Sequence, residues 1–219
     1  MGTLAQVLVR GGDVQTVRDI VRGAFAEVEF LLNVHDPSSQ INSLANLSDD
    51  QVLKFADRIV RTCYAAAFTM CDESAGVFNP RWKGLKTLDL GAIAKGYAVD
   101  LAVERLLSSG ARGEVLVDLG GNLKAVSGEW RIALYGSDKV FVLKHGESAA
   151  TSGEYFRGKH IFDGRTRAAC SNALYSVTVI HPSSAMMADA LSTTLFILGK
   201  EKGGEFLNRR YPAARAIWL

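Results

Sequence analysis

Residues 88–100, with the sequence LDLGAIAKGYAVD, decide how this chain folds. Leu88 and Leu90 predict a strand that ends at a glycine-containing turn, and residues 93–107 then carry apolar side chains at helical spacing. Backbone N–H groups at such a helix start can face a phosphate, and Lys95 would add a positive charge beside them. Glycine often occupies a turn for conformational reasons alone, so a binding role and a structural role both stay open at this point.

The elements around this motif predict an α+β fold, in which helices pack on a largely antiparallel sheet. Capping residues and helical periodicity predict helices at residues 14–33, 48–70, 93–107, 183–198 and 201–208. Strands are predicted at residues 1–10, 114–119, 130–134, 139–143, 159–162, 175–180 and 214–219, and a short turn-rich element at residues 149–153. The expected inward face of the second helix consists of Val52, Phe55, Ile59, Thr62 and Ala66. The 219 residues, 48% of them hydrophobic, suffice for one domain with a substantial core, predicted to span residues 1–219.

Composition narrows the class of protein. The 25 Lys and Arg residues nearly balance the 23 Asp and Glu residues, and a net charge of +2 gives no electrostatic footprint for nucleic acid. No stretch approaches about 18 uninterrupted apolar residues, so a membrane span is not expected. Cys63, Cys71 and Cys170 match no zinc or disulfide spacing, which favours a reducing compartment. A cytoplasmic location is therefore expected, or a periplasmic one if a leader has been removed.

Asp189 and Thr193 lie four residues apart in the predicted helix ADALSTTLFIL, so their oxygen atoms would share one helix face. A carboxylate, a hydroxyl and a backbone carbonyl could hold Mg²⁺, which takes its remaining ligands from phosphate and water. Alternatively, Asp189 is solvated and the Thr193 hydroxyl bonds back to its own helix. Apolar residues surround Asp189 on nearly every side of this helix, and a carboxylate in such a setting needs a partner.

His160 is the histidine best placed for acid–base chemistry, since it is predicted to lie on a short strand just before Asp163. An imidazole there could act as a base near neutral pH. A structural role for a lone histidine on a strand is the alternative. Ser152 has no G-x-S-x-G sequence around it, so we expect it in a turn or as a hydroxyl donor and not as a nucleophile.

Eight short motifs follow one another along the chain, and their order is more specific than any of them alone. They are MGT at residues 1–3, INSLAN at 41–46, GVFNP at 76–80, LDLGAIAKGYAVD at 88–100, VDLGGN at 117–122, ATSGEY at 150–155, SVTVI at 176–180 and ADALST at 188–193. Together they resemble the motifs of the ApbE family of FAD:protein FMN transferases, in which G-x-F-D-P is usual where this chain has GVFNP. The resemblance implies an ApbE-like fold along nearly the whole chain.

The resemblance also implies an activity. A family member binds FAD with Mg²⁺, cleaves the pyrophosphate, transfers FMN to a Thr or Ser hydroxyl of an acceptor flavoprotein, often a redox subunit, and releases AMP. In this chain the Ala92 carbonyl, Asp189 and Thr193 would hold the metal, and Lys95 would face the same oxygens or the flavin edge. Asp189 and His160 would be catalytic, with His160 deprotonating the acceptor hydroxyl. The FAD site would be lined by Met1, His35, Val77, Phe78, Asn79, Asp89, Lys95 and Phe162.

Three departures from the family pattern bear on this activity. The histidine block of the family commonly has the pattern H-x-x-D-P-x-T-G, whereas residues 160–167 are HIFDGRTR, without the proline and the final glycine. His35 stands where an aromatic residue is usual, and the segment between Pro80 and Leu88 is shorter than usual. Two alternatives therefore stay open: Mg²⁺-dependent hydrolysis of FAD to FMN and AMP, and non-catalytic binding of the flavin.

Overall fold

The computed structural model describes residues 3–155 and 158–219 of the protein. Its strands are β1 (Ala5–Arg10), β2 (Glu114–Leu119), β3 (Asn122–Ala125), β4 (Trp130–Ala133), β5 (Val140–Leu143), β6 (Ser148–Gly153), β7 (Ser176–His181) and β8 (Arg215–Trp218). Six of them form a sheet in the order β1-β2-β3-β6-β7-β8, and β4 pairs with β5 in a separate ribbon. Every neighbouring pair is antiparallel, which confirms the expected α+β fold.

Four helices begin and end within two residues of the positions that the sequence predicted. They are the first helix in the chain and the last three. The full set is α1 (Val14–Leu32), α2 (Gln40–Leu44), α3 (Asp49–Phe55), α4 (Arg58–Glu73), α5 (Gly91–Ser108), α6 (Ala185–Leu198) and α7 (Lys200–Arg210). Over the residues that the structure describes, no helix combines the length and the hydropathy that a bilayer span requires.

The single helix predicted for residues 48–70 is wrong, because the structure divides this segment into α3 and α4. Ser48 caps α3 as expected, but the Asp57 carboxylate starts a new helix by accepting a hydrogen bond from the Ile59 N–H at 2.8 Å. The Asp57 N–H donates to the Gln40 side chain at 2.8 Å, which fixes the break. The expected inward face is therefore interrupted: Val52 and Ile59 are buried, Ala66 is half-buried, and Phe55 and Thr62 are exposed.

Two predicted strands are absent from the described residues. Leu88 and Leu90 lie in an irregular segment outside the sheet, where the Asp89 N–H donates to the Pro80 carbonyl at 2.8 Å. Both leucines are buried, so their spacing reflected core packing and not strand pairing. Residues 159–162 form a loop in which Phe162 contributes only an isolated bridge to Ala169.

The element expected to be turn-rich at residues 149–153 is instead part of β6, inside the sheet between β3 and β7. Its alanine, serine, threonine and glycine side chains give a weak strand signal in the sequence. Neighbouring strands and the helix layer bury it, since Ala149 and Ala150 are fully inaccessible. Tertiary burial therefore decides the conformation of this segment.

The two faces of the sheet are covered by different elements. Helices α5 and α6 pack on one face, and α1 packs on α5, so that Val117 and Val179 join the main hydrophobic core there. The β4–β5 ribbon covers the other face, where Trp130 and Phe141 form a second cluster with Leu116. The site described next lies at an end of the sheet that both layers reach.

Candidate active site

A cavity of about 1300 Å³ lies where the turn between β2 and β3, the start of α5 and the middle of α6 meet. Its wall includes every predicted site residue that the structure describes: His35, Val77, Phe78, Asn79, Asp89, Ala92, Lys95, His160, Phe162, Asp189 and Thr193. Met1, also predicted to contact FAD, lies outside the described residues. The fold thus brings these residues to one cavity, and their individual roles toward a ligand stay predictions.

The Asp189 carboxylate is buried on the wall of this cavity, with the residue only 4% exposed, so it is not a solvated surface group. Lys95 Nζ lies 3.2 Å from each of its two oxygens, and the Gly96 N–H donates to Oδ2 at 3.0 Å. The partner that a carboxylate in an apolar helix requires is therefore a lysine 94 residues away.

The same contact affects the Ala92 carbonyl. In a regular α-helix the Gly96 N–H would donate to this carbonyl, four residues earlier. In this chain that N–H donates to Asp189 Oδ2, and a carbonyl oxygen has two lone pairs, so the Ala92 oxygen can bind a second partner. A carbonyl and a carboxylate are thus presented together at the cavity wall.

The Thr193 hydroxyl does not bond back to its own helix in the way the sequence left open. Its Oγ1 lies 3.3 Å from Ser152 Oγ on β6, whereas the neighbouring Thr194 hydroxyl donates to the Ala190 carbonyl. Ser152 also bonds to Ser192 at 2.8 Å and lies in a strand, so its expected turn position is wrong and its expected hydroxyl bonding is observed. Sheet and helix are linked beside Asp189 by these hydroxyl groups.

Helix α6 is held against α5 at what we call the α5–α6 junction, formed by Lys95, Gly96, Asp100 and Asp189. A Cβ at Gly96 would lie 2.2 Å from the Ala185 carbonyl oxygen, so only glycine permits this approach of the two backbones. The Asp100 carboxylate accepts hydrogen bonds from the Ala185 and Met186 N–H groups at 3.0 and 2.9 Å, which caps α6 and complements its dipole. Ser184 and Lys124 also donate to Asp100. The junction thus sets the position of Asp189, one turn into α6.

Some of the first N–H groups of α5 have partners within the chain, so fewer of them can face a phosphate than the sequence predicted. The Gly91 N–H donates to Asp89 Oδ1 at 3.0 Å, and the Ile93 N–H donates to the Leu90 carbonyl. Asp89 is half-buried and also accepts from Lys83 Nζ at 3.0 Å. Lys95 at the cavity wall, or a bound cation, can add positive charge for a diphosphate to what the helix start supplies.

His160 is exposed and lies in what we call the histidine loop, residues 158–170, and not on a strand. Its Nδ1 is 2.8 Å from the Gly158 carbonyl, which can only accept, so Nδ1 carries a proton and Nε2 has a free lone pair in the neutral ring. A base needs this tautomer. The ring is therefore oriented to accept a proton through Nε2.

The residues that replace the family's proline and glycine in the histidine loop have defined roles. The Gly164 N–H donates to the Val77 carbonyl at 3.0 Å, a bond that proline could not make. A Cβ at Gly164 would lie 2.3 Å from Asn79 Cβ, so the loop rests directly on the wall segment that carries Val77 and Asn79. Arg167 stands at the glycine position and has a φ of 60°, a left-handed backbone that glycine adopts more easily than arginine.

Several residues of the cavity wall were missed by the sequence predictions. Trp82 stacks on Phe162 with ring centroids 4.3 Å apart and an angle of 12°, and Lys83 Nζ lies 4.9 Å from the Trp82 ring. Tyr155 stacks between Tyr135 and Tyr175. The aromatic residues of the glycine- and proline-containing segment before residue 83 were a signal for Trp82. The tyrosine stack joins three distant segments, so no local pattern could have shown it.

Asp118 was also missed, although it stands in the VDLGGN motif. It lies on β2 at the cavity wall, and its Oδ1 accepts a hydrogen bond from the Gly121 N–H at 2.9 Å. Burial raises the pKa of this carboxyl above its ordinary value, and the Gly121 bond lowers it by less. Antiparallel pairing places Asp118 between Gln6 on β1 and Leu123 on β3, which only the sheet register reveals.

The sequence of the chain is similar to known proteins over much of its length. The model of the ApbE family matches residues 83–218. The FAD:protein FMN transferase of Klebsiella pneumoniae (strain 342) is 40% identical over 141 residues, which cover 56% of this chain and 42% of the relative. That of Treponema pallidum (strain Nichols) is 34% identical over 159 residues, covering 60% and 43% of the two chains. The chain thus spans less than half the length of these curated relatives.

Solved structures share the fold over nearly all of the chain. The flavin transferase ApbE from Vibrio cholerae superposes with a TM-score of 0.80 at 20% identity, covering 100% of this chain and 90% of that one. The flavinyl transferase ApbE of Pseudomonas stutzeri, in its apo form, gives a TM-score of 0.78 at 22% identity, with coverage of 99% and 91%. Since the family model covers more than half of the sequence and the fold agrees, the chain belongs to the ApbE family.

Proposed function

We propose that the protein transfers FMN from FAD to a Thr or Ser hydroxyl of an acceptor flavoprotein, with Mg²⁺ bound at Asp189. The observation that carries the proposal is the buried Asp189 carboxylate on the wall of a cavity of about 1300 Å³, within reach of Lys95. Such a volume exceeds the usual range of drug-sized ligand pockets and suits an extended dinucleotide. Relatives named FAD:protein FMN transferase support the same reaction.

The residues present fit a hard divalent cation. Asp189 offers a carboxylate, Thr193 a hydroxyl and Ala92 a backbone carbonyl, and all three residues line the cavity. Within the part of the chain that the structure describes, no cluster of three His, Cys, Asp or Glu side chains is arranged to hold a metal. A site with a single carboxylate suits Mg²⁺, which keeps several water or phosphate ligands. When bound, Mg²⁺ would neutralise charge on the phosphoryl oxygens.

The remaining residues of the cavity have roles that follow from their positions. Lys95 supplies a positive charge for the diphosphate from the cavity wall beside the start of α5. Trp82 and Phe162 form a flat aromatic surface on which a ring of the dinucleotide can stack. His160 accepts the proton of the attacking hydroxyl at Nε2, because its Nδ1 is held by the Gly158 carbonyl.

The experiment that tests the proposal is incubation of the protein with FAD and Mg²⁺, with and without a flavoprotein redox subunit as acceptor. Flavin fluorescence that stays on the acceptor band after denaturation, together with release of AMP, is the expected result. AMP release with no labelled acceptor would indicate hydrolysis. Tight FAD binding without AMP would indicate a flavin-binding protein that is not an enzyme.

Replacement of His160 by alanine separates proton transfer from binding. We expect acceptor labelling to slow by about 10²- to 10⁴-fold, the usual contribution of a general base, while the Kd for FAD changes little. The dissociation constant is measured by quenching of flavin fluorescence. Equal losses of binding and labelling would show that His160 only contacts FAD.

Hydrolysis of FAD to FMN and AMP is the second candidate, and the exposure of His160 favours it. An exposed base can activate water as readily as an acceptor hydroxyl. The ratio of labelled acceptor to AMP measures the competition directly. A ratio near one at saturating acceptor supports transfer, and a ratio near zero supports hydrolysis.

A further inference from the structure

Lys95 occupies the carboxylate through which the proposed cation would bind. Its Nζ is 3.2 Å from both oxygens of Asp189, so the ammonium group is shared between them. The Gly96 N–H adds one neutral hydrogen bond to Oδ2. Because the Asp189 side chain is only 6% exposed, Lys95 provides the main compensation of its charge.

A divalent cation and this ammonium group compete for the same two oxygens. Mg²⁺ binds a carboxylate oxygen at about 2.0–2.1 Å, and an ammonium group left in place would lie a few ångströms from it, where like charges repel. The Lys95 side chain is 22% exposed and has a flexible four-carbon stem, so it can move without displacing α5. Its other hydrogen bond goes to the Gly91 carbonyl at 3.3 Å, and both residues line the cavity.

We propose that Lys95 and the divalent cation exchange on Asp189, and that the displaced ammonium group binds the diphosphate of the nucleotide. This inference rests on the proposed function, from which it takes the cation and the dinucleotide. When the cation binds the Asp189 carboxylate, the diphosphate of the nucleotide becomes the negatively charged partner of Lys95. The cation and the nucleotide therefore bind with positive coupling, and Lys95 is the residue that couples them.

Titration with Mn²⁺ tests the exchange without any turnover. Electron paramagnetic resonance reports the free Mn²⁺, with and without saturating ADP, and the result is corrected for Mn²⁺ that ADP chelates in solution. In the unaltered protein, ADP is expected to tighten Mn²⁺ binding by about 5- to 150-fold, the usual range of coupling between two sites. ADP serves as the probe because it contains the diphosphate and no flavin.

Lys95→Met keeps the length of the side chain and removes its charge. Without ADP, this variant is expected to bind Mn²⁺ at least about fivefold more tightly than the unaltered protein, and ADP is expected to add less than about twofold. Lys95→Gln is a second variant, in case methionine beside the buried carboxylate prevents folding. Lys83→Met is the matched control, since Lys83 is another cavity lysine paired with a carboxylate, that of Asp89. It should leave the affinity for Mn²⁺ without ADP unchanged.

The outcomes separate this inference from the proposed function. Unchanged or weaker Mn²⁺ binding by folded Lys95→Met and Lys95→Gln proteins would overturn the exchange. If Asp189→Asn still abolished Mn²⁺ binding in that case, the metal site of the proposed function would stand. If the Lys83→Met variant also bound Mn²⁺ more tightly, the loss of any positive charge in the cavity would explain the effect. That result would overturn the exchange as well. Mn²⁺ binding that survives in Asp189→Asn would overturn both the exchange and the metal site.

Discussion

The α5–α6 junction and the histidine loop each present a predicted catalytic residue to the same cavity, but they hold it by different means. At the junction, the backbone contact at Gly96 and the bonds to Asp100 fix α6, and Asp189 is buried. In the histidine loop, His160 is exposed, while Ile161, Gly164 and Cys170 are buried and hold the loop against the rest of the protein. The proposed metal ligand is therefore held within the packed core, whereas the proposed base is an exposed residue of a loop.

The difference has a physical reason. A carboxylate attracts a cation more strongly where the surroundings are less polar than water, and burial at the wall of a cavity provides such surroundings. A base that serves a protein substrate must be reachable by a macromolecule, so it has to lie near the surface. The following four predictions test how strictly the two regions divide these tasks.

The largest effect is expected for Asp189→Asn, which removes the charge from the junction and keeps a hydrogen-bond acceptor for Gly96. Mg²⁺-dependent turnover of FAD should fall by at least about a thousandfold, equivalent to about 4 kcal/mol of transition-state stabilisation. AMP release at saturating Mg²⁺ measures the loss, and a thermal melt checks that the variant folds. Turnover at the normal rate would remove the metal assignment from Asp189.

Gly96→Ala is expected to give the next largest effect, on stability. The new Cβ would meet the Ala185 backbone at 2.2 Å, so α5 and α6 must separate. Overpacking of this kind costs about 1–3 kcal/mol, and here no flexible side chain can move aside. Gly23→Ala in α1 is the matched control, because its Cβ meets nothing within 4 Å. We expect the control to gain about 0.5–1 kcal/mol in the free energy of unfolding, measured with urea.

Gly164→Ala probes the contact of the histidine loop with the cavity wall. Its Cβ would lie 2.3 Å from Asn79 Cβ and 2.5 Å from the Gly76 carbonyl oxygen, so the loop must lift. We expect a loss of about 1 kcal/mol in stability, at the lower end for overpacking because an exposed loop can yield. The affinity for FAD should also fall, because Val77 and Asn79 line the cavity. Quenching of flavin fluorescence measures this affinity. An unchanged Kd for FAD would show that the position of the histidine loop does not affect the cavity wall.

The smallest effect is expected for Arg167→Gly. Arg167 has a φ of 60°, and a left-handed backbone costs a residue with a Cβ about 1–2 kcal/mol. Glycine removes this cost but increases the entropy of the unfolded chain, so the net gain should be about 0.5 kcal/mol. For a chain of this size, the gain corresponds to a rise of about 1–2 °C in Tm. A lower Tm would show that the Arg167 side chain makes a stabilising contact.

The parts of the fold that were predicted correctly carry their signals locally. Helix α6 has Ser184 at its N-cap, with a hydrogen bond from the Met187 N–H, and Gly199 with a φ of 77° at its end. The break between α3 and α4 was missed because it depends on Gln40, 17 residues before Asp57. Local sequence thus specifies helix ends well and misses ends that distant side chains fix.

In the candidate site, too, the sequence indicated individual residues but not the contacts between distant parts of the chain. The motifs supplied Lys95 and Asp189 separately, and the apolar surroundings of Asp189 correctly indicated that it needs a partner. Their direct pairing could not be foreseen, because it follows from the approach of two helices at Gly96. Asp118 was missed for a similar reason, since only the register of β2 places it on the cavity wall.

The pairing of β1 with β2 has a consequence for the order of folding. Ala5 pairs with Leu119 and Arg10 pairs with Glu114, so the paired residues are separated by about half of the chain. A ribosome that adds about 5–20 residues per second leaves β1 without its partner for roughly 5–20 s. During this time the segment is an unpaired hydrophobic strand, a known risk for aggregation. Contacts of such high contact order also form slowly once synthesis is complete, so we expect β1 to join the sheet late.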